Sequence, residues 1–333
     1  MAEKVTVYER TKVLRVVPMS REGGRLHANA VITDHGTVRA NQVVFACHYP
    51  FVNRPGYYFL RMHQERSYVL GLQGTAYQGD NQMKNVYLGT DKDALSFRGA
   101  GDILLLGGGN HRTGENVGNQ YEYLMRQADK YWPECKEVAR WSAQDCMTLD
   151  KIPYVGKFCG KLVGKPDSDT DTWYVATGYG KWGMTTSMAA ALLLTDLLNG
   201  RENAAEDVYS PRRKTIIASA KTFATEGKYA TVNILKEKWG KTEKGAFQDE
   251  VKLMRPGECK VLKKEGEKLG VYKDEKENVY VVSVKCPHLG CLLSWNADEK
   301  SWDCPCHGSR FSYKGELLDG PAQTKNAGVC ALR

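Results

Sequence analysis

The sequence predicts an α/β (or α+β) domain followed by a small all-β domain. Three observations carry that expectation. Strand-like and helix-like runs are mixed over the first two hundred residues, the texture changes to short strands separated by charged turns from about Asp249, and four cysteines and two histidines crowd into positions 286–307. At 333 residues the chain is long enough for two domains. Its 42% apolar and 26% charged residues are those of an ordinary globular protein and exclude a disordered, collagenous or membrane-embedded chain. The longest helix-compatible apolar run, residues 188–198, is interrupted by Thr195 and Asp196, whereas a membrane span needs about 20 residues. Met1-Ala2-Glu3-Lys4-Val5 contains no apolar signal core, so the expectation is a cytoplasmic protein with no membrane span.

The elements follow from periodicity. Val5, Val7, Val13, Val16 and Val17 are β-branched, and Leu26, Ala28, Ala30 and Ile32 alternate with more polar neighbours, the period of a half-buried strand. Asp34-His35-Gly36 reads as a turn, and 42–47 (QVVFAC) as a strand buried on both faces. A second strand group covers 68–72, 86–88 and 103–106, the last ending on Gly107-Gly108-Gly109. Residues 119–131 put Tyr121, Leu124, Met125, Ala128 and Tyr131 on one helix face, and Pro133 stops that helix. A strand at 173–176 precedes a glycine-rich turn and a helix over about 185–198, with Gly200 beyond its end. Short strands at 260–263, 269–272 and 279–284 follow the change of texture. These boundaries divide the chain into residues 1–205, a basic and partly helical linker at 206–248, and a β domain at 249–333. No internal repeat stands out.

Net charge is +8, and its densest excess lies in the linker, where residues 206–245 hold nine basic against five acidic side chains. Such a run is read as a solvated face. No recognition module accompanies it, so nucleic acid is not an expected partner.

Six of the ten cysteines (Cys47, Cys135, Cys146, Cys159, Cys259 and Cys330) are scattered and read as small buried hydrophobes. No general acid–base pair or nucleophile has convincing spacing, and His48, His63 and His111 read as structural or surface residues.

Gly178-Tyr179-Gly180-Lys181-Trp182-Gly183 matches G-x-G-x-x-G between a strand and a helix. A dinucleotide-binding unit needs a further strand with an acidic residue about 20 positions on. Here the helix runs into Gly200-Arg201-Glu202-Asn203 and the linker, so a NAD-binding unit is rejected at this place. The glycines still allow close backbone approach, and the helix start offers free N–H groups.

The run 173–198 (WYVATGYGKWGMTTSMAAALLLTDLL) resembles the flavin-contacting segment of the D-amino-acid-oxidase-like FAD-dependent oxidoreductases, and 43–51 (VVFACHYPF) with Arg66-Ser67-Tyr68 resembles an internal strand and loop of the same family. The resemblance covers residues 1–205 as the later part of such a flavoprotein. It implies Gly178, Gly180, Lys181, Trp182, Gly183, Met184 and Thr185 as FAD neighbours. The family's opening strand–GxGxxG–helix unit has no counterpart before Gly178. The expectation is therefore an incomplete flavin domain, as in a fragment, a shortened product or half of a split protein, with FAD binding by this chain alone weak or absent.

Cys286-Pro287-His288-Leu289-Gly290-Cys291 and Cys304-Pro305-Cys306-His307-Gly308-Ser309 contain a C-x-H and a C-x-x-H separated by fifteen residues. Two thiolates and two imidazoles suit a [2Fe–2S] centre with two Cys on one iron and two His on the other. A structural zinc site and a metal-free pair of disulfides fit the spacing less well. Residues 249–325 resemble the disulfide-containing branch of Rieske domains. That resemblance implies Cys286, His288, Cys304 and His307 as metal ligands and Cys291–Cys306 as a disulfide. It implies Pro321 in a third loop over the cluster, and Ser309 as a donor to a cluster sulfur. Where many high-potential members carry a tyrosine, Phe311 stands here, so an intermediate reduction potential is expected.

The functional expectation is an electron-transfer oxidoreductase that couples a Rieske iron–sulfur cluster to a FAD domain, with a donor or acceptor protein and a small-molecule substrate as partners. The alternatives are a non-enzymatic Rieske carrier with a vestigial scaffold, and a Rieske oxygenase component. Only 26 residues follow His307, none of them histidine, and an oxygenase arrangement would also lack the Cys291/Cys306 pair, so the oxygenase is the weaker expectation.

Overall fold

The computed structural model describes residues 5–22, 25–53, 55–75, 85–91, 93–115, 117–159, 170–213, 228, 232, 247–323 and 330–332. In chain order the first strands are β1 (Val13–Val17), β2 (Ser20–Glu22), β3 (Arg25–His27), β4 (Asn29–Thr33), β5 (Thr37–Ala40) and β6 (Val43–Phe45). Next come β7 (Met62–Gln73), β8 (Val86–Leu88), β9 (Ser96–Ala100), β10 (Ile103–Arg112), α1 (Gln120–Asp129) and β11 (Lys136–Thr148). Then follow β12 (Tyr154–Lys157), β13 (Trp173–Thr177), α2 (Gly183–Leu198), α3 (Glu206–Tyr209) and α4 (Phe247–Leu253). The last third holds β14 (Cys259–Lys264), β15 (Glu267–Lys273), β16 (Val279–Ser283), β17 (Ser294–Asn296), β18 (Ser301–Asp303), β19 (Arg310–Ser312), β20 (Leu317–Asp319) and β21 (Cys330–Leu332). Most of the basic linker lies outside the described residues. No helix among the described residues is long and apolar enough to cross a membrane.

The chain forms two compact units, each drawn from two separate stretches: Met1–Arg61 with Thr148–Ala220, and Met62–Met147 with Lys221–Arg333. In the first, β1, β4 and β5 make one antiparallel sheet, and β12, β13 and β6 make another in which β13 and β6 run parallel. The all-apolar strand β13 is buried along its whole length. Helix α2 covers this sheet by packing Ala190, Leu193 and Leu194 on Val155, Tyr174 and Ala176, and each fully buried large apolar side chain contributes roughly 1.5–3 kcal/mol. Gly200, at φ 69°, ends the helix in the left-handed region, and Arg201 N–H closes the turn on Asp196 O at 2.9 Å. Val5 and Val7, expected in a strand, are exposed and lie outside regular structure.

The second unit contains an antiparallel sheet in the order β11-β7-β10-β9-β8. The glycines expected to end a strand at 107–109 lie inside β10, which runs on to Arg112. A Cβ at Gly107 would come within 2.8 Å of Ser96 Oγ, and one at Gly108 within 2.7 Å of Leu95 and 3.1 Å of Leu124. The glycines thus let β9 and α1 close over the strand. Register shifts between Gly108 and His111, with Gly109 at φ 64°, and this bulge re-aims the end of β10.

Strand β7 buries alternate residues, as its period of two requires. The half of its buried face bearing Leu70 and Leu72 packs with Leu124 and Ala128 of α1. The other half bears the buried polar residues Gln64 and Arg66 and the buried Tyr68 with its hydroxyl. It is covered by the C-terminal β region, to which it is hydrogen-bonded. Arg66 reaches Glu299 at 3.2 Å and Tyr68 OH accepts from Asn296 Nδ2 at 3.0 Å. Tyr121 OH donates to Glu299 at 2.6 Å.

The C-terminal region has two antiparallel four-stranded sheets, β14-β15-β16-β21 and β17-β18-β19-β20. Val282, Val284, Leu293, Trp302 and Phe311 form their shared core together with Cys286, Cys291, Cys304 and Cys306. Asp303 and Arg310 pair inside it at 3.1 Å, each also bonded to Ser301 Oγ, which satisfies charges that would be costly to bury alone.

Candidate functional site

Two hairpin loops build the site, one before β17 and one between β18 and β19. They fold alike. Cys286 N–H donates to Cys291 O and Gly290 N–H to Cys286 O; in the second loop Cys304 N–H donates to Ser309 O and Gly308 N–H to Cys304 O. Gly290 and Gly308, at φ 79° and 78°, occupy the same left-handed corner, where a side chain would be strained. The shared pattern is C-P-x-x-G followed by Cys or Ser. It is a short internal repeat that periodicity does not reveal, because it fixes backbone turns rather than an apolar face.

Cys291 and Cys306 are joined by a disulfide that ties the two loops together. Cys291, Cys304 and Cys306 sit close enough to share an ion, but the disulfide removes two of those sulfurs from the donor set. The other two loop cysteines, Cys286 and Cys304, are buried thiols joined by a hydrogen bond. That bond holds the Cys286 thiol below its ordinary value, helped by a further hydrogen bond from Ser309. The same bond, with burial, pushes Cys304 well above.

The rings of His288 and His307 lie 5.0 Å apart at 86° to each other. Burial pushes His288 down to about 4. It pushes His307 to about 3, with the positive charges of His288 and Arg112 acting in the same direction. Both rings are therefore neutral near pH 7, the form that ligates a metal. The structure brings the two expected sulfur donors together and the two expected rings together, on loops tied by the Cys291–Cys306 disulfide. Two hydrogen-bonded sulfurs and two neutral imidazoles fit the donor set of a mixed Cys₂His₂ diiron cluster. His307 is 6% exposed, whereas His288 is half-buried between exposed Pro287 and Leu289.

Around the donors, Ser309 is fully buried and its Oγ accepts Ala322 N–H at 3.1 Å. A Cβ on Gly320 would sit 2.6 Å from Ser309 Cα, so the loop through Pro321 lies directly on the second hairpin. Phe311 is fully buried opposite Trp302.

Gly178 and Gly180, at φ 74° and 56°, form the turn between β13 and α2. Lys181, Trp182, Met184 and Thr185 are exposed at the start of α2, and Gly183 is its first residue. Of the scattered cysteines, Cys135, Cys146 and Cys159 are buried and Cys47 and Cys259 half-buried; the Cys330 side chain lies outside what is described. His111 stacks on Tyr68 and bonds its OH at 3.0 Å, a structural role.

Sequence reasoning passed over the side chains of the five-stranded sheet that address the second hairpin. Arg112 reaches the carbonyls of Pro305 and Cys306, and Gln144 Nε2 donates to Gly308 O and Asp319. Gly114 and Gln64 lie against Pro305 and Gly308. A lone polar residue in a strand gives no sign of a partner some two hundred positions away.

The FAD dependent oxidoreductase (DAO) family profile matches residues 1–197, and that of the Rieske [2Fe-2S] domain matches residues 246–330. The chain is similar to the Rieske 2Fe-2S iron-sulfur protein YhfW of Bacillus subtilis (strain 168), 32% identical over 95% of this chain, and it spans 59% of that protein's length. It is also similar to the cytochrome b6-f complex iron-sulfur subunit of Microcystis aeruginosa, 43% identical over 16% of this chain and 30% of that one. Among solved structures it is similar to glycine oxidase from Geobacillus kaustophilus, 20% identical with a TM-score of 0.47, covering 62% of this chain and 53% of that chain. The chain belongs to the FAD dependent oxidoreductase (DAO) family and carries, at residues 246–330, a Rieske domain, the class that holds a [2Fe-2S] cluster.

Proposed function

We propose that this chain is an electron-transfer oxidoreductase in which Cys286, His288, Cys304 and His307 hold a Rieske cluster that exchanges electrons with a FAD-dependent half. The observation that supports the reading is the pairing of those side chains across two bridged loops. The two thiols share a hydrogen bond, the two rings stand 5.0 Å apart, and the second cysteine of each hairpin is committed to a disulfide.

When bound, such a cluster stores a single electron, at a potential raised because two neutral imidazoles replace two anionic thiolates. FAD, when bound, supplies two-electron chemistry on a small-molecule substrate. The chain's own residues do the rest. The disulfide fixes the spacing of the hairpins, Ser309 donates to the Cys286 sulfur, and the buried core around Trp302 and Phe311 excludes water from the sulfur side. Gly178, Gly180, Lys181, Trp182, Gly183, Met184 and Thr185 are the candidate flavin neighbours, offering open backbone and the N-terminal end of α2. An external donor or acceptor protein completes the route.

Iron, acid-labile sulfide and flavin measured on protein recovered from gel filtration test the reading. Two irons and two sulfides per chain are expected, and both are lost in Cys286→Ser and Cys304→Ser. Flavin that co-elutes assigns the FAD half to this chain. A wild-type protein without iron refutes the cluster, and one that retains iron but takes up no flavin even when supplied refutes the coupling.

A further inference from the structure

The five-stranded sheet delivers one cation to the cluster hairpin. At the end of β10, beyond the bulge at Gly109, Arg112 turns toward the second loop. Its Nε donates to Pro305 O at 3.3 Å and its Nη2 to Cys306 O at 3.4 Å. These carbonyls lie between Cys304 and His307 in the chain. The arginine is seated by its neighbours. Thr113 N–H bonds Gln64 O at 3.0 Å, and Thr113 Oγ1 donates to Gln144 Oε1 at 2.8 Å. Gly114 lies so close that a Cβ would come within 2.3 Å of Pro305 N. The contact is built on backbone, so the guanidinium is held at a fixed distance from the hairpin rather than swinging in solvent.

Glu115 N–H bonds Arg112 O at 3.1 Å, which puts a carboxylate residue beside the arginine in the chain, and the other acidic groups near the hairpin have partners of their own. Asp303 is paired with Arg310, and Asp319 accepts Gln144 Nε2 and Gly320 N–H. Lys285 is exposed on the first hairpin. Among the described residues, Arg112 is a cation bonded to the backbone of the second hairpin. Reduction adds one negative charge to the cluster, and a fixed positive charge beside a partly buried site favours the more negative state.

We propose that Arg112 is a potential-setting residue: its charge, anchored on the Pro305 and Cys306 carbonyls, raises the reduction potential of the Rieske centre. The proposal rests on the cluster reading above and assigns to the FAD-family sheet a role in tuning the centre that it covers.

The experiment is a reductive titration of the full, iron-loaded chain, followed by EPR, for wild type, Arg112→Lys and Arg112→Gln. The expected result is a lower midpoint potential in R112Q, a smaller drop in R112K because the charge survives, and the same g values in all three. An R112Q potential equal to wild type, or an R112K potential as low as that of R112Q, overturns the proposal. Loss of iron from both variants overturns it as well, since the arginine is then a structural clamp. A wild-type protein with no Rieske signal sinks the cluster reading instead, so the two failures are distinguishable.

Discussion

Arg66 and Glu299 are 233 positions apart in the chain and meet at 3.2 Å. Arg66 lies on β7 and is 1% exposed at its side chain; Glu299 sits in the turn between β17 and β18 and also receives Tyr121 OH and Arg310. The guanidinium further bonds Ser142. A sheet of the FAD-family part and the Rieske domain are therefore joined by a buried ionic network rather than tethered through the linker alone.

Removing one partner of such a pair strands a buried charge, which costs about 3–5 kcal/mol. Glu299 is a fifth exposed, so Glu299→Ala is expected near the lower end, about 3 kcal/mol. Glu299→Gln should lose less, since its amide still accepts from Tyr121. Urea unfolding followed by tryptophan fluorescence checks both, and an E299A curve that overlays wild type contradicts the network.

The same carboxyl predicts an acid limb of stability. Burial alone would raise its pKa, but the hydrogen bonds from Tyr121 and Ser142 and the charges of Arg66 and Arg310 outweigh it and hold it below its ordinary value. A depressed carboxylate stabilises the fold above its unfolded pKa, about 4.3. That contribution is lost as pH falls through the lower folded value. Stability should therefore drop below about pH 4.3, with a shallower drop in E299Q; equal slopes for the two proteins count against it.

The Cys291–Cys306 disulfide closes a segment of 15 residues. A loop of that size gives about 3 kcal/mol in the chain-entropy model. The paired Cys291→Ser and Cys306→Ser variant should shift the urea midpoint down accordingly and release iron faster to a chelator. Unchanged release would mean that the hairpins hold their spacing without the bridge.

Phe311 fills the core opposite Trp302 and has no hydroxyl to offer a ligand sulfur. Phe311→Tyr adds a donor beside the reduced cluster and should raise the potential by on the order of tens of millivolts, taking 59 mV per tenfold for one electron. Protein-film voltammetry reads this directly; a potential that stays or falls contradicts the tuning argument.

Much of the site was legible in the sequence because metal ligands must lie close together. Two short hairpins can supply four donors only if the residues cluster along the chain, as Cys286, His288, Cys304 and His307 do. Helix α2 was legible because residues 188–194 are an unbroken run of Met, Ala and Leu, and Gly200 follows the last apolar pair, Leu197-Leu198. Strand β11 was not, since Gln144 takes a buried position where alternation calls for an apolar residue. The glycines of β10 read as a stop because their reason, close approach by Ser96, Leu95 and Leu124, exists only in three dimensions. The polar face of β7 was equally silent. Gln64, Arg66 and Tyr68 look solvent-facing until Gly308, Glu299 and Asn296 come to meet them.

The proposed diiron cluster is held by two cysteines and two histidines on paired hairpins. EPR of the dithionite-reduced protein addresses it most directly. The expected spectrum is rhombic, with an average g below that of an all-cysteine [2Fe–2S] centre. A silent, iron-free sample, or one whose average g equals that of an all-cysteine cluster, would contradict it.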